Sequence, residues 1–245
     1  MKRPTTVNIL DCGRIRFKGD SNWMPVQAFL IQTSEVNIVV DAGFHPDIIT
    51  NTKGYLGMLS SVVEIEVTKE NLIDHQIKQH NLEVSNIDKV IYSHLHFDHC
   101  GGAVLFEGKT TEMVQLKEFE SAHNAHFHFE YNKKDIDYAK NFKKIKGNLD
   151  LLGNGEIHLI ETPGHSAGHQ SVWIENSDDS DILLLCDASY SVHQFIHRGH
   201  SKYPFKKELE IASINRLHNM IENRNKPVCV YAGHDPIPQI ISERY

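Results

Sequence analysis

Residues 94–99 read His94-Leu95-His96-Phe97-Asp98-His99 and directly follow Lys89–Ser93, a short apolar run that predicts a strand. In an extended backbone, side chains two apart point the same way, so His94 and His96 can reach one ion together. Asp98 and His99 are adjacent and can serve a second ion only if the chain turns there. Gly101-Gly102 is expected to give the freedom for that turn. The bland alternative, a surface loop that happens to be rich in histidine, leaves the later segments unexplained.

Three later segments also stand at predicted strand ends. Thr162-Pro163-Gly164-His165 follows Ile157–Ile160, Asp187 follows the apolar run Ile182–Cys186, and Gly233-His234-Asp235 follows Val228–Ala232. Layered α/β folds gather their sites at such ends. A carboxylate in the position of Asp187 is costly to bury without a cation or strong donors. Together the segments offer five histidines and two aspartates: His94, His96, Asp98, His99, His165, Asp187 and His234. That is too many for one tetrahedral ion. The set suits two divalent ions sharing a carboxylate, zinc foremost, with iron, cobalt or manganese as alternatives.

Length and patterning bound the architecture. The 245 residues suit a single domain spanning 1–245, and 40% hydrophobic with 23% charged residues is an ordinary globular balance. The longest apolar run is five residues, which excludes a membrane helix. A net charge of −7 argues against a nucleic-acid partner. The four cysteines, Cys12, Cys100, Cys186 and Cys229, form no paired motif. The N-terminus lacks a secretory apolar stretch, so a cytoplasmic location with reduced thiols is expected. Strands are predicted at Val26–Ile31, Val36–Asp41, Glu112–Leu116 and Gln170–Glu175, besides those above. Helices are predicted from Thr68 onward and at Lys117–His126, Asp135–Ile145 and Phe205–Asn223. Phe44–Val67 reads as a long loop. The alternation points to layered α/β architecture.

The motifs resemble the metallo-β-lactamase superfamily, with its H-x-H-x-D-H segment and later His, Asp and His. The resemblance implies an αββα sandwich of two mixed sheets flanked by helices. It puts His94, His96 and His165 on one metal and Asp98, His99 and His234 on the other, with Asp187 bridging. Within the superfamily, Ser93–His99, Thr162–Ser171 and Asp187-Ala188-Ser189-Tyr190 are similar to the N-acyl-homoserine lactonases, in which a tyrosine three residues past the bridging Asp enters the site. The implied activity is quorum-quenching hydrolysis. A hydroxide activated by two metals opens a small-molecule lactone, Tyr190 stabilises developing charge, and Asp98 carries a proton to the leaving oxygen. Another hydrolase of the superfamily, a 4-pyridoxolactonase-like lactonase or a glyoxalase II-like thioesterase, is the alternative.

The remaining readings concern the surroundings of the site. His169 is expected to orient a ligand, or merely to pack; Asp41 is expected to orient a ligand histidine or to cap the site from behind; Asp235 can simply end a strand. His123, His126 and His128 do not share one helical face. Phe97, Trp23 and Met24, and with them Tyr55, Leu56, Met58 and Leu59, are the candidates for an apolar groove that binds substrate, Phe97 foremost because it stands between ligands. Trp23, Met24, Tyr55, Leu56, Met58 and Leu59 could equally anchor loops or line a subunit contact, which leaves a homodimer open.

Overall fold

The computed structural model of the chain describes residues 5–106, 108, 110–124, 130–176 and 180–241. They form two compact units, one holding Thr6–Val114 and Phe119–Lys144, the other Gln115–Glu118 and the chain from Ile145 onward.

The first unit contains β1 (Thr6–Phe17), β2 (Met24–Gln32), β3 (Asn37–Val40), α1 (Asp47–Leu56), β4 (Val63–Glu66), α2 (Ile73–Gln79), β5 (Lys89–Ile91), α3 (Phe97–Cys100), most of β6 (Thr111–Gln115), α4 (Leu116–Asn124) from Phe119 onward, α5 (Lys133–Tyr138) and most of β7 (Lys143–Ile145); the first turn of α4 belongs to the second unit. Its sheet runs β4-β1-β2-β3-β5-β6-β7. The β1, β2 and β3 pairings are antiparallel, whereas β3, β5 and β6 run parallel. Ile38, Val39, Val40, Val90 and Ile91 are all buried, so these central strands are covered on both faces, which is why they read as continuous apolar runs. The parallel register pairs Val40 with Ile91. It thereby sets Asp41 beside Ser93, at the strand ends where the histidine segment begins.

The second unit contains β8 (Leu149–Asp150), β9 (Ile157–Glu161), β10 (Gln170–Ile174), β11 (Asp181–Leu184), α6 (Val192–Ile196), α7 (Lys207–Glu222), β12 (Val228–Tyr231) and β13 (Gln239–Ile241). Its sheet runs β13-β12-β11-β10-β9-β8 and is also mixed, with β11 and β12 parallel. Leu184 pairs with Tyr231, so the residues after β11 and β12 emerge at one end. The strand β9 is antiparallel to β10, as β10 is to β11, so β9 exits there too. In α7, Ile214 and Leu217 pack with Trp173, Leu183, Phe195 and Val230. Each such buried side chain contributes about 1.5–3 kcal/mol. The expected α/β class with two mixed sheets is thus the one observed.

Several local expectations are corrected. β1, for which no strand was predicted, is twelve residues long and has a register shift between Asp11 and Arg14. Phe44–Val67 is not a plain loop. It holds α1, a 3₁₀ turn and β4, and its helical period is hidden because α1 kinks at Asn51, where φ is −147°. The helix expected over Asp135–Ile145 ends at Tyr138, passes through a 3₁₀ turn and becomes β7. Its apolar residues at intervals of three suit that tighter turn. Thr68 caps a 3₁₀ turn, and α2 starts only at Ile73. The end of the predicted helix Lys117–His126 lies outside the described residues. The closing strand β13 was not expected.

At the edge of the first sheet, Arg14 and Arg16 on β1 pair with Glu66 and Glu64 on β4, each directly across in register. Trp23 lies over both guanidinium groups, at 5.0 and 4.4 Å.

Inside the first unit, α1 is tied to α5. The Tyr55 hydroxyl donates to Asp135, and Asn132 Nδ2 donates to the Tyr55 carbonyl at 2.6 Å. Burial pushes the Asp135 carboxyl up to about 7, against an ordinary value of 3.8. The folded protein therefore keeps this proton where the unfolded chain has lost it. Stability contributed here is full below about pH 4 and declines as pH rises toward 7. Asp135→Asn, which still accepts from Tyr55, should gain about 2–4 kcal/mol on the wild type across that window and no more above it. Denaturant unfolding at a series of pH values measures this; parallel curves for the two proteins would refute it.

Candidate metal centre and active site

The first unit supplies its ligand candidates from one continuous turn. His94 and His96 follow β5 in an extended segment, and α3 then carries Asp98 and His99. Ligand atoms of His94 and His96 lie within 4.8 Å of one another, as do those of His94 and His99 and of Asp98 and His99. His94, Asp98 and His99 are buried.

The buried Asp41 holds this turn. It has a φ of 64°, in the left-handed region that a non-glycine residue occupies only when its surroundings impose it. Its Oδ1 accepts from the Ser93 backbone N–H at 2.7 Å and its Oδ2 from the Ser93 hydroxyl at 2.8 Å. Having given its hydrogen to the carboxylate, Ser93 Oγ accepts from His94 Nδ1 at 2.9 Å. His99 Nδ1 donates to Asp41 Oδ2 at 2.9 Å. Both rings therefore carry the hydrogen on Nδ1 and the lone pair on Nε2, the form in which imidazole binds a metal. Asp41 thus bonds one histidine of the segment directly and reaches a second through Ser93. The part played by Ser93 was not anticipated, although a hydroxyl directly before the first histidine was a readable signal.

Gly101 and Gly102 do something other than expected. Gly101 has φ −58° and ψ −37°, ordinary helical values open to any residue. What both glycines provide is close approach. A Cβ at Gly101 would meet the His45 nitrogen at 2.4 Å, and one at Gly102 would meet the Ala42 carbonyl at 2.2 Å. Their lack of a side chain lets α3 seat directly on the strand exit, where Ala42 N–H donates to His99 O at 2.7 Å.

In the second unit, His165, Asp187, Tyr190 and His234 gather at the shared strand end. Asp187 Oδ2 lies 3.4 Å from His165 Nε2 and 3.2 Å from His234 Nε2. The Tyr190 ring packs nearly perpendicular to both imidazoles, 5.5 Å from His165 and 5.2 Å from His234, with its hydroxyl 3.5 Å from His165 Nδ1. Asp187 and His165 are buried, and Tyr190 is half-buried. Gly233 is again a matter of space, since a Cβ there would sit 2.1 Å from Asp187 Oδ1. The turn bearing His165 is fixed by Glu118, fully buried at the start of α4, whose Oε2 accepts from Ser166 Oγ at 2.7 Å and Gly168 N–H at 2.9 Å. No local pattern marked Glu118, because its partners lie about fifty residues away.

Other candidates fall outside these groups. Asp235 accepts from Val192 N–H and Ile237 N–H and so shapes the chain around α6. His123 stacks on Phe119 at 5.6 Å; His126 and His128 lie outside the described residues. His193 on α6 and His197 just past its end are exposed neighbours, with ring centres 4.4 Å apart. Phe97 is buried against Phe44, with ring centres 6.0 Å apart. Trp23 and Met24 stand at the head of β2. That end runs past Val40 on the same side as Asp41, because β2 pairs Phe29 with Val40 in antiparallel register.

Imidazole nitrogens with hydrogen-bonded backs, set among buried carboxylates, form a donor set that fits divalent cations.

Comparison with known proteins agrees. The metallo-beta-lactamase superfamily profile matches residues 21–232. An N-acyl homoserine lactonase of Bacillus thuringiensis is 34% identical over 217 residues, covering 86% of this chain and 82% of that protein. N-acyl homoserine lactonase AttM of Rhizobium radiobacter is 28% identical, covering 87% and 82%. Among solved structures, an N-acyl homoserine lactone hydrolase with N-hexanoyl-L-homoserine bound at its catalytic metal centre superposes with a TM-score of 0.81 at 30% identity, covering 96% of this chain and 94% of that one. The fold class is thus the αββα sandwich that the sequence led us to expect. A profile match over most of the chain, and a third of its aligned residues shared with such relatives, place this protein in the metallo-β-lactamase superfamily, among proteins related to the N-acyl homoserine lactonases.

Proposed function

We propose that this protein is a metal-dependent N-acyl homoserine lactonase, which adds water across the ring ester of an N-acyl homoserine lactone to give the open N-acyl-homoserine. The observation that carries the reading is Tyr190, packed against His165 and His234, the two histidines that Asp187 also contacts. A phenol at that point can donate to substrate, which a site built only to store metal does not need.

We read the two units as halves of one domain spanning 1–245. Their ligand sets would serve one dinuclear centre, with His94, His96 and His165 on one ion, Asp98, His99 and His234 on the other, and Asp187 shared. Seven N and O donors support two ions, and zinc is the expected metal. When bound, such ions supply a water acidic enough to attack at neutral pH and polarise an ester carbonyl.

The chain's own groups do the rest. Tyr190 donates its hydroxyl hydrogen to substrate oxygen as negative charge develops. Asp98 takes up the proton that the attacking water gives up and passes it to the ring oxygen, so that the departing alkoxide becomes the alcohol of the product. Asp41, through Ser93 and directly, keeps His94 and His99 in the metal-binding tautomer. Phe97, Met24 and Trp23 are read as contacts for the acyl chain, supported by the place of β2's head on the Asp41 side of its sheet. All four cysteines are thiols, and Cys12, Cys100 and Cys186 are buried as small apolar groups, which suits a reducing cytoplasm.

Protein purified without chelator should contain about two divalent ions per chain. Asp187→Asn should lower that content and abolish lactone hydrolysis, because a neutral amide bridges poorly, while His123→Ala should change neither. Elemental analysis beside a pH-stat assay on a lactone panel tests both; equal losses from the two substitutions would show the ligands to be misassigned.

Tyr190→Phe should keep the metals and slow hydrolysis by roughly ten- to a thousandfold, mostly in kcat if the hydroxyl acts in the transition state. Wild-type rates at full metal occupancy would remove Tyr190 from the mechanism.

A further inference from the structure

Behind Asp187, three buried side chains close a ring of hydrogen bonds in which every donor is determined. Ser171 Oγ lies 2.9 Å from the Leu185 carbonyl and must donate to it, because a carbonyl only accepts. With that hydrogen committed, Ser171 accepts from Thr162 Oγ1 at 2.9 Å. Thr162 in turn accepts from His169 Nδ1 at 2.8 Å. From the other end, the Asp187 backbone N–H donates to His169 Nε2 at 3.1 Å, which requires a lone pair there and again places the hydrogen on Nδ1. The two ends, taken separately, assign the same neutral tautomer.

The ring leaves the backbone at Leu185 and returns at Asp187, so it clasps Cys186. That residue has a φ of 49°, left-handed and without glycine's freedom. The Cys186 carbonyl is held from the other side by Gly233 N–H at 2.9 Å. Thr162, His169 and Ser171 are 1%, 0% and 0% exposed, so water cannot replace a lost partner. The arrangement also explains why the second histidine of Thr162-Pro163-Gly164-His165-Ser166-Ala167-Gly168-His169 is not a ligand: both its nitrogens are engaged by Thr162 and Asp187.

We propose that the His169–Thr162–Ser171 ring is a positioning device, which holds the strained Cys186 turn and thereby fixes the direction of the Asp187 carboxylate. This rests on the reading of Asp187 as a metal ligand. His169 is a positioning residue and acts only through Asp187.

The test compares His169→Leu, His169→Gln, Thr162→Val and Thr162→Ser with the wild type, with Asp187→Asn as reference. Zinc retention against graded chelator is followed by elemental analysis, and the melting temperature of the metal-stripped proteins is measured alongside. His169→Leu should lose about ten- to a hundredfold in zinc affinity, and Thr162→Val should lose in the same direction although it touches no ligand. His169→Gln offers a carbonyl to the Asp187 N–H, and Thr162→Ser keeps the hydroxyl; both should stay within about threefold of wild type. The proposal is overturned if Leu and Val hold zinc as the wild type does, or if Gln and Ser lose as much as Leu and Val. Should His169→Leu fail to fold, the Thr162 pair decides alone. If Asp187→Asn loses zinc while the Leu and Val variants keep it, the ring proposal alone falls. If Asp187→Asn itself holds zinc at wild-type affinity, the ligand reading fails and takes the ring with it.

Discussion

The Asp41 carboxylate is the interaction on which the histidine segment depends. It sits where two parallel strands end together, and it binds the backbone and hydroxyl of Ser93 as well as the ring of His99. These bonds join the exit of β3 to the exit of β5 and choose the tautomer of two imidazoles. Without them the histidines would still be present, but nothing would direct their lone pairs. The strained backbone of Asp41 is tolerated because three charge-assisted hydrogen bonds repay it.

The second unit meets the same need by different means. Asp187 is itself a carboxylate, and the groups that hold its backbone from behind are hydroxyls and a neutral imidazole. A carboxylate stands behind the histidines of the first unit, and neutral hydrogen-bonding groups stand behind the aspartate of the second.

What was legible in the sequence followed from range. His94, His96, Asp98 and His99 are close in sequence, and the strands before His165, Asp187 and His234 are apolar enough to mark their own ends. The supports were harder to read. Glu118 reaches Ser166 across 48 residues, and Ser93 reaches Asp41 across 52, so no local window contains either pair. Gly101 and Gly102 looked like sources of freedom, whereas their use is contact with Ala42 and His45, which only the folded chain brings near. The β7 segment failed for a related reason. Ile136, Ala139, Phe142 and Ile145 are all buried, but a three-residue spacing does not say where helix gives way to strand.

The paired charges on β1 and β4 bear on how that edge finds its alignment. β4 is only four residues long and bonds the sheet on one side. A slip of one residue would set Glu64 or Glu66 against Ile15. A slip of two would leave an arginine and a glutamate with no opposite number, and would break the stack of guanidinium groups under Trp23. The same row of charge makes the strand's outer side a poor template for a second chain. An edge too short to be aligned by its backbone alone is thus keyed by its side chains, and a reversed-charge pair such as Arg14→Glu with Glu66→Arg would keep the key while single reversals would not.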